Sequence, residues 1–393
     1  MKSHFRRVES HKASLWKGGS PLLGNLALEI TERCNNNCIH CYINLPPHDP
    51  NAKERELSTE EIGSILKEAT SLGCLTVRFT GGEPLLREDF EDLYILSRKL
   101  GLKVIIFTNA TLITPRLAKL FARMPLLHKI EVTVYGMSKK SYEAVTRTPG
   151  SFEAAWRGMG LLLEENVPFV VKGAFLPPNR GEMEEFESWA ATITWMDHPP
   201  PYSMFFDLRC RREPEEKNRL IRGLRLSPRE GVKILTRRRE EYFRNMKEFC
   251  SKFMYPSGDS LFSCDAGVCS GCVDAYGQFQ PCIMLRHPAT ICSLKTNSLK
   301  DILTNFFPEV RQMRASNPIY LARCARCFLK GLCEQCPAKS WMEHGTLDSP
   351  VEYLCEIAHA QARYLGLLKD NEMSWEVIDW EERISRWLKD NQH

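Results

Sequence analysis

The first half of the chain switches repeatedly between two apolar periods. Residues 26–30 are apolar apart from Glu29 and read as a strand. Ser58 and Glu61 form a capping box. Ile62, Ile65, Leu66, Ala69 and Leu72 then recur at helical spacing, and Gly73 closes the helix. Residues 74–79 read as a second strand. The unit repeats. A helix through Phe90, Leu93, Leu96 and Leu100 leads to a strand over 103–107, and a helix opening at Pro115 leads to a strand over 129–134. Helices through Phe152, Trp156 and Leu161 and through Phe186 and Trp189 lead to strands over 168–172 and 204–208. Six strands alternating with helices predict an α/β fold with a parallel sheet and right-handed crossovers. Six units suit a partial barrel, open on one side. In such barrels the chemistry sits on loops at the C-terminal ends of the strands.

The remainder divides by composition. Residues 1–24 are a polar arm, and the barrel spans 25–208. A basic stretch over 209–255 follows, with twelve Lys or Arg against four Glu between Arg209 and Arg239. From Ser227 onward it reads as an amphipathic helix carrying Val232, Leu235, Tyr242 and Phe243. Its bland reading is a solvated face. Its functional reading is a docking surface for an acidic peptide or an electron donor, since positive fields steer such partners. A cysteine-rich α+β domain takes up 256–360. A helical tail over 361–393 carries Trp375, Trp380 and Trp387, whose spacing suits packing against the body.

With 43% hydrophobic and 26% charged residues in 393, the composition is globular. The net charge of +4 calls for no nucleic acid, and no stacking pattern of basic and aromatic residues offers one. No run reaches the ~18 apolar residues of a membrane span, and the N-terminus lacks a signal-peptide core. The expected compartment is the cytoplasm, where thiols stay reduced. Sixteen cysteines there argue for metal or cluster ligation rather than disulfides. Three sit at 34–41. Cys74, Cys210, Cys250 and Cys292 stand alone, and nine more fall between Cys264 and Cys355.

The early set, Cys34, Cys38 and Cys41, has the spacing C-x3-C-x2-C directly after the first strand. Three thiolates on one loop suit three irons of a [4Fe–4S] cluster, leaving the fourth iron open for a small molecule. A zinc knuckle is the alternative. It wants a fourth ligand nearby, and His40 and His48 are the candidates. The second strand ends in Gly81-Gly82-Glu83-Pro84, where two glycines let a ligand approach the backbone and a carboxylate follows.

The cysteine loop and the Gly-Gly-Glu turn together resemble the radical S-adenosylmethionine (SAM) superfamily, whose signature is C-x3-C-x-Φ-C with Φ aromatic. His40 stands in the Φ place. The resemblance implies a partial (β/α)6 TIM barrel. It implies that Cys34, Cys38 and Cys41 hold the cluster, and that Gly81, Gly82 and Glu83 hold the amino group of SAM. One electron from the cluster would cleave SAM to a 5'-deoxyadenosyl radical that abstracts hydrogen from substrate. Asn109 resembles the family's third-strand exit near the SAM ribose. Thr133 stands where a fourth-strand Ser is common, and Lys172 lies at the fifth strand's top.

The later cysteines read as paired C-x2-C knuckles, a metal pattern that also suits zinc ribbons. Their order, C-x12-G-x4-C, then C-x2-C-x5-C-x2-C, then a final C, resembles the SPASM domain, an extension of radical SAM enzymes that mature peptides and proteins. It departs in the last knuckle, where x3 is usual. This resemblance implies two auxiliary [4Fe–4S] clusters, three clusters in all. Cys324, Cys327, Cys333 and Cys355 would hold the one distal to SAM. Cys264, Cys282 and Cys336 would hold the nearer, completed by Cys269 or by Cys272, with Cys269 preferred. Cys292 is structural.

The expected function is oxidative modification of a ribosomally made peptide or protein by crosslink, thioether or dehydrogenation. The partners would be the peptide and an electron donor such as flavodoxin or ferredoxin. About 25 residues precede the first strand, too few for a leader-binding domain, so leader binding is expected from a separate leader-peptide-binding protein or from the body of the enzyme. Ile283 stands where anaerobic sulfatase maturases place Asp, which counts against that activity. Asp265, Asp274, Tyr276 and Glu334 are candidate bases, and none is assigned. The alternatives are cofactor biosynthesis, such as haem side-chain oxidation, and a non-catalytic metal scaffold.

Overall fold

The computed structural model describes residues 22–390. Most of the polar arm over 1–24 lies outside the described residues. Six parallel strands follow the expected order: β1 (Asn25–Thr31), β2 (Thr76–Gly81), β3 (Lys103–Thr108), β4 (Ile130–Val134), β5 (Phe169–Ala174) and β6 (Tyr202–Ser203). Side chains alternate between the two faces of each strand. Leu26, Leu28, Val77, Phe79, Val104, Ile106, Ile130, Val132, Phe169 and Val171 are buried under the crossover helices. The opposite face carries polar groups. Lys172 Nζ lies 3.2 Å from Glu131 and 3.4 Å from the Phe107 ring centre, with Arg78 stacked on the same ring. One face is therefore the hydrophobic core and the other lines the barrel interior. The helix Thr59–Ser71 starts on the capping box, with Ser58 Oγ accepting from Glu61 N and Glu61 accepting from Ser58 N.

Two boundaries differ from the sequence reading. The sixth strand is two residues long and ends before Met204, so 204–208 is not a strand. It follows Pro199, Pro200 and Pro201, which cannot donate to a ladder. Beyond Ser203 the chain turns across the barrel mouth, where Phe206 packs on His40 at 5.1 Å. The basic amphipathic helix is two helices, Pro228–Leu235 and Arg239–Phe253, broken at 236–238.

The cysteine-rich part continues the barrel's own sheet. Its strand β7 (Ser270–Val273) pairs parallel with β1, from Asn25↔Ser270 to Leu28↔Val273. β8 (Gln278–Gln280) and β9 (Cys292–Ser293) extend it antiparallel, giving the order β6-β5-β4-β3-β2-β1-β7-β8-β9. The β7–β8 turn is held by Asp274, whose carboxylate accepts from Tyr276 N and Gln278 N, and Gly277 supplies φ +84°. The tail packs on the body as its spacing suggests: Trp387 stacks on Phe243, Trp380 on Phe328, and Trp375 meets His359. Among the described residues no helix is long and apolar enough to cross a membrane.

Candidate active site

The cysteine loop leaves β1 and is tied down along its length. Cys34 N donates to Leu45 O and Leu45 N to Glu32 O, while Asn37 N and Ile39 N donate to Thr146 O and Val145 O. Arg33 forms a two-pronged pair with Glu56 at 2.8 Å per contact. Buried Arg209 reaches the carbonyls of Cys41, Ile43 and Asn44 at 3.3–3.4 Å. Arg209 opens the basic stretch of the sequence, yet here it is a strut. Its neighbours are also engaged: Arg211 with Glu32 and Asp274, Arg212 with Trp341 O, and Arg237 and Arg238 with Glu187. The stretch is largely intramolecular pairing rather than a free basic face.

The glycine turn is zipped to the same loop. Gly82 N donates to Thr31 O at 2.7 Å and Glu83 N to Arg33 O at 2.9 Å. Gly81 has φ +122°, and a Cβ there would lie 2.0 Å from Thr31 O; one on Gly82 would lie 2.2 Å from Arg33 O. Neither position admits a side chain without backbone movement.

Loop and turn face one cavity of about 350 Å³. Its wall includes Cys34, Cys38, His40, Cys41, Gly81, Gly82, Asn109, Thr133 and Lys172. Of the residues expected to contact SAM, Glu83 alone is absent from that wall. Its fully buried carboxylate accepts from Thr108 Oγ1 at 2.7 Å, Asn109 N at 2.8 Å and Leu85 N at 3.1 Å. Burial pushes its pKa up to about 7 against those bonds. Glu83 thus braces the end of β2 against that of β3, and the glycine backbone presents the ligand-facing surface.

The donor set fits a cluster and SAM. Burial and the other two thiols hold Cys34 well above the usual thiol range, with the Glu83 carboxylate adding to the effect; burial and Cys41 push Cys38 up to about 12. Cys34 and Cys38 therefore stay protonated until metal binding takes their protons. His40 is neutral, its pKa lowered to about 4 by burial and then by Lys217. It fills the aromatic place by packing on Tyr135 and Phe206. His40 Nδ1 and both side-chain polar atoms of Asn36 are buried without a protein partner beside the thiols, as a polar ligand would require.

The later cysteines gather in two places. Cys324, Cys327, Cys333 and Cys355 line one small pocket with Arg323, Lys330 and Trp375. Cys282 lies near Cys336 and Cys264, and burial followed by their charges pushes it up to about 11. Cys272 is buried on β7 beside Glu29 and Arg286, whereas Cys269 is half-exposed just before that strand. Among the described residues no three His, Cys, Asp or Glu side chains converge closely enough to hold a single metal ion.

Two groups escaped the sequence reading. Asp207 is the one carboxylate in the cavity wall among the described residues, and it pairs with Lys339 beside Cys336. It lies in the stretch read as a strand, which hid its role. The second group joins Glu29, Glu32 and Asp274 to Arg286, all buried, where β1 meets β7. Tyr276 donates to Glu32 there at 2.8 Å, so the candidate bases Asp274 and Tyr276 are spent in this network, away from the cavity. The signal in sequence was Glu29, an acid inside an apolar strand.

An open β/α barrel with three thiols and a glycine turn facing one cavity suits an iron–sulfur cluster and a small-molecule cofactor at its strand ends. Residues 28–190 match the model of the radical SAM superfamily. The AdoMet-dependent heme synthase of Methanosarcina barkeri is 24% identical over 337 residues, 81% of this chain and 93% of that protein. The mycofactocin maturase of Mycolicibacterium smegmatis is 30% identical over 168 residues, 42% of this chain and 40% of that one. Streptococcus suis SuiB bound to S-adenosylmethionine superposes with a TM-score of 0.61 at 16% identity, covering 85% of this chain and 75% of SuiB. The enzyme anSMEcpe with bound AdoMet gives 0.59 at 15%, covering 95% and 100%. These superpositions establish the shared fold.

Proposed function

We propose that the chain is a radical SAM enzyme with three [4Fe–4S] clusters that oxidatively modifies a ribosomally made peptide or protein. The observation that carries this reading is the composition of the cavity wall. The barrel supplies the cysteine loop and glycine turn, while Met284, two residues beyond Cys282, comes from the cysteine-rich part. Substrate held there lies between the first cysteine set and the nearer auxiliary set. Cys34, Cys38 and Cys41 would hold the cluster, which would supply the electron for cleaving SAM. The backbone of Gly81 and Gly82 would take the amino group of SAM, and Asn109 and Thr133 line the same cavity. Asp207, facing the cavity, accepts the proton that substrate releases as it is oxidised. SuiB has been solved with a precursor peptide and anSMEcpe with a peptide, on the same fold.

The heme synthase match over most of both chains favours a second reading, oxidation of a porphyrin side chain. One experiment separates them. The anaerobically reconstituted protein is given SAM, dithionite and either a short peptide encoded beside its gene or an iron porphyrin. A peptide product lacking two hydrogens supports the proposal. Carbon dioxide released from the porphyrin, with the peptide untouched, sinks it.

A further inference from the structure

The four cysteines of the distal set are surrounded by side-chain donors that no cysteine spacing predicts. Ser374, fully buried, places Oγ 2.9 Å from Cys327 Sγ. His359 stands one helical turn beyond Cys355 on the helix Glu352–Tyr364. Its Nε2 accepts the backbone N–H of Ser374 at 3.2 Å and therefore carries no proton. The ring proton sits on Nδ1, which lies 2.8 Å from Cys355 O and 3.5 Å from Cys355 Sγ. Arg323 Nη2 is 3.7 Å from the same sulfur. That guanidinium is fixed by a two-pronged pair with Glu352 at 2.8 and 2.9 Å and lies 4.5 Å over the Trp375 ring. Buried Lys330 adds a second cation beside Cys324 and Cys327. Ser374 and Trp375 come from the chain beyond the last cysteine.

The nearer set is differently surrounded. Cys282 takes the backbone N–H groups of Met284 and Leu285, and Cys336 those of Ala338 and Lys339. The Lys339 ammonium beside Cys336 is paired with Asp207.

We propose that Ser374, His359 and Arg323 are positioning residues that raise the reduction potential of a cluster on Cys324, Cys327, Cys333 and Cys355. This rests on the reading above that these four cysteines hold a cluster. Reduction adds one electron to the cluster, and the extra negative charge spreads onto its thiolates. Donors and a fixed cation at those sulfurs stabilise the reduced form, which moves the potential upward. In turnover the electron comes from the substrate radical, which loses it together with a proton as the product forms.

The test is an anaerobic redox titration of the reconstituted full chain, followed by electron paramagnetic resonance. Ser374→Ala and Arg323→Gln should each keep the wild-type iron content and move one cluster signal to more negative potential. The other two signals should stay in place. Arg323→Lys, which keeps the charge, should recover part of the shift. Unmoved potentials in both variants at full iron content would overturn the proposal. A Cys324→Ala/Cys327→Ala double variant that loses no iron would show instead that the underlying cluster assignment is wrong, and the proposal would fall with it.

Discussion

Cys34, Cys38 and Cys41 come from eight consecutive residues, whereas Cys324, Cys327, Cys333 and Cys355 come from separate turns and helices spread over thirty-two. The first set is positioned by backbone. The loop is tied to β1, to the glycine turn and to the 145–146 segment by main-chain hydrogen bonds, and the thiols follow. The second set is positioned by packing, with helix faces and the tail residues Ser374 and Trp375 closing around the sulfurs. A backbone-built site leaves its geometry in local spacing. A packing-built site leaves only its ligands there, and the groups that tune it are scattered.

The sharpest break between the two sets is functional. Cys38→Ala should abolish SAM cleavage, measured as 5'-deoxyadenosine released with dithionite. Cys324→Ala/Cys327→Ala should lose about four irons and peptide product, yet still release 5'-deoxyadenosine. If both variants lose cleavage alike, the division of labour is wrong.

Between the sets, Asp207→Asn should lower product formation by roughly 10²-fold and leave uncoupled SAM cleavage near wild type. An equal loss of both would make Asp207 a structural partner of Lys339 only.

Gly81→Ala tests the backbone-built site directly. Its Cβ would meet Thr31 O at 2.0 Å in a left-handed conformation. A destabilisation of at least about 1–3 kcal/mol and weakened SAM binding are expected in urea unfolding and equilibrium dialysis.

A further effect is the pH dependence of Glu83. Its pKa rises from 4.5 to about 7 on folding because burial disfavours the charge. The folded state thus holds a proton that the unfolded state has lost, and stability falls as pH climbs from 4.5 through 7. The loss levels off at about 3 kcal/mol. Glu83→Gln should flatten that slope in unfolding curves taken between pH 5 and 8; an unchanged slope would assign it to other groups.

Much of the barrel was legible because its strands are apolar runs separated by capped helices. Ser58 with Glu61 and Pro115 marked helix starts that the structure shares. The sixth strand was misplaced because residues 204–208 are apolar for a different reason: Phe205 and Phe206 close the cavity mouth instead of filling a sheet. Glu83 is expected as a ligand group because a carboxylate after two glycines suits an ammonium, and the fold adds that it also accepts from Thr108 and Asn109. The addition of β7 to β1 depends on a parallel pairing across some 240 residues, which no local period encodes. The basic stretch was visible as charge, and its acidic partners Glu32, Asp274 and Glu187 lie too far along the chain to be matched by eye.

The most direct test of the account is metal and product analysis of the anaerobically reconstituted chain. It should hold about twelve irons, three clusters of four, and release 5'-deoxyadenosine from SAM on reduction, with Cys34→Ala/Cys38→Ala/Cys41→Ala losing about a third of the iron and all of the cleavage. Stoichiometric zinc with no 5'-deoxyadenosine would contradict it.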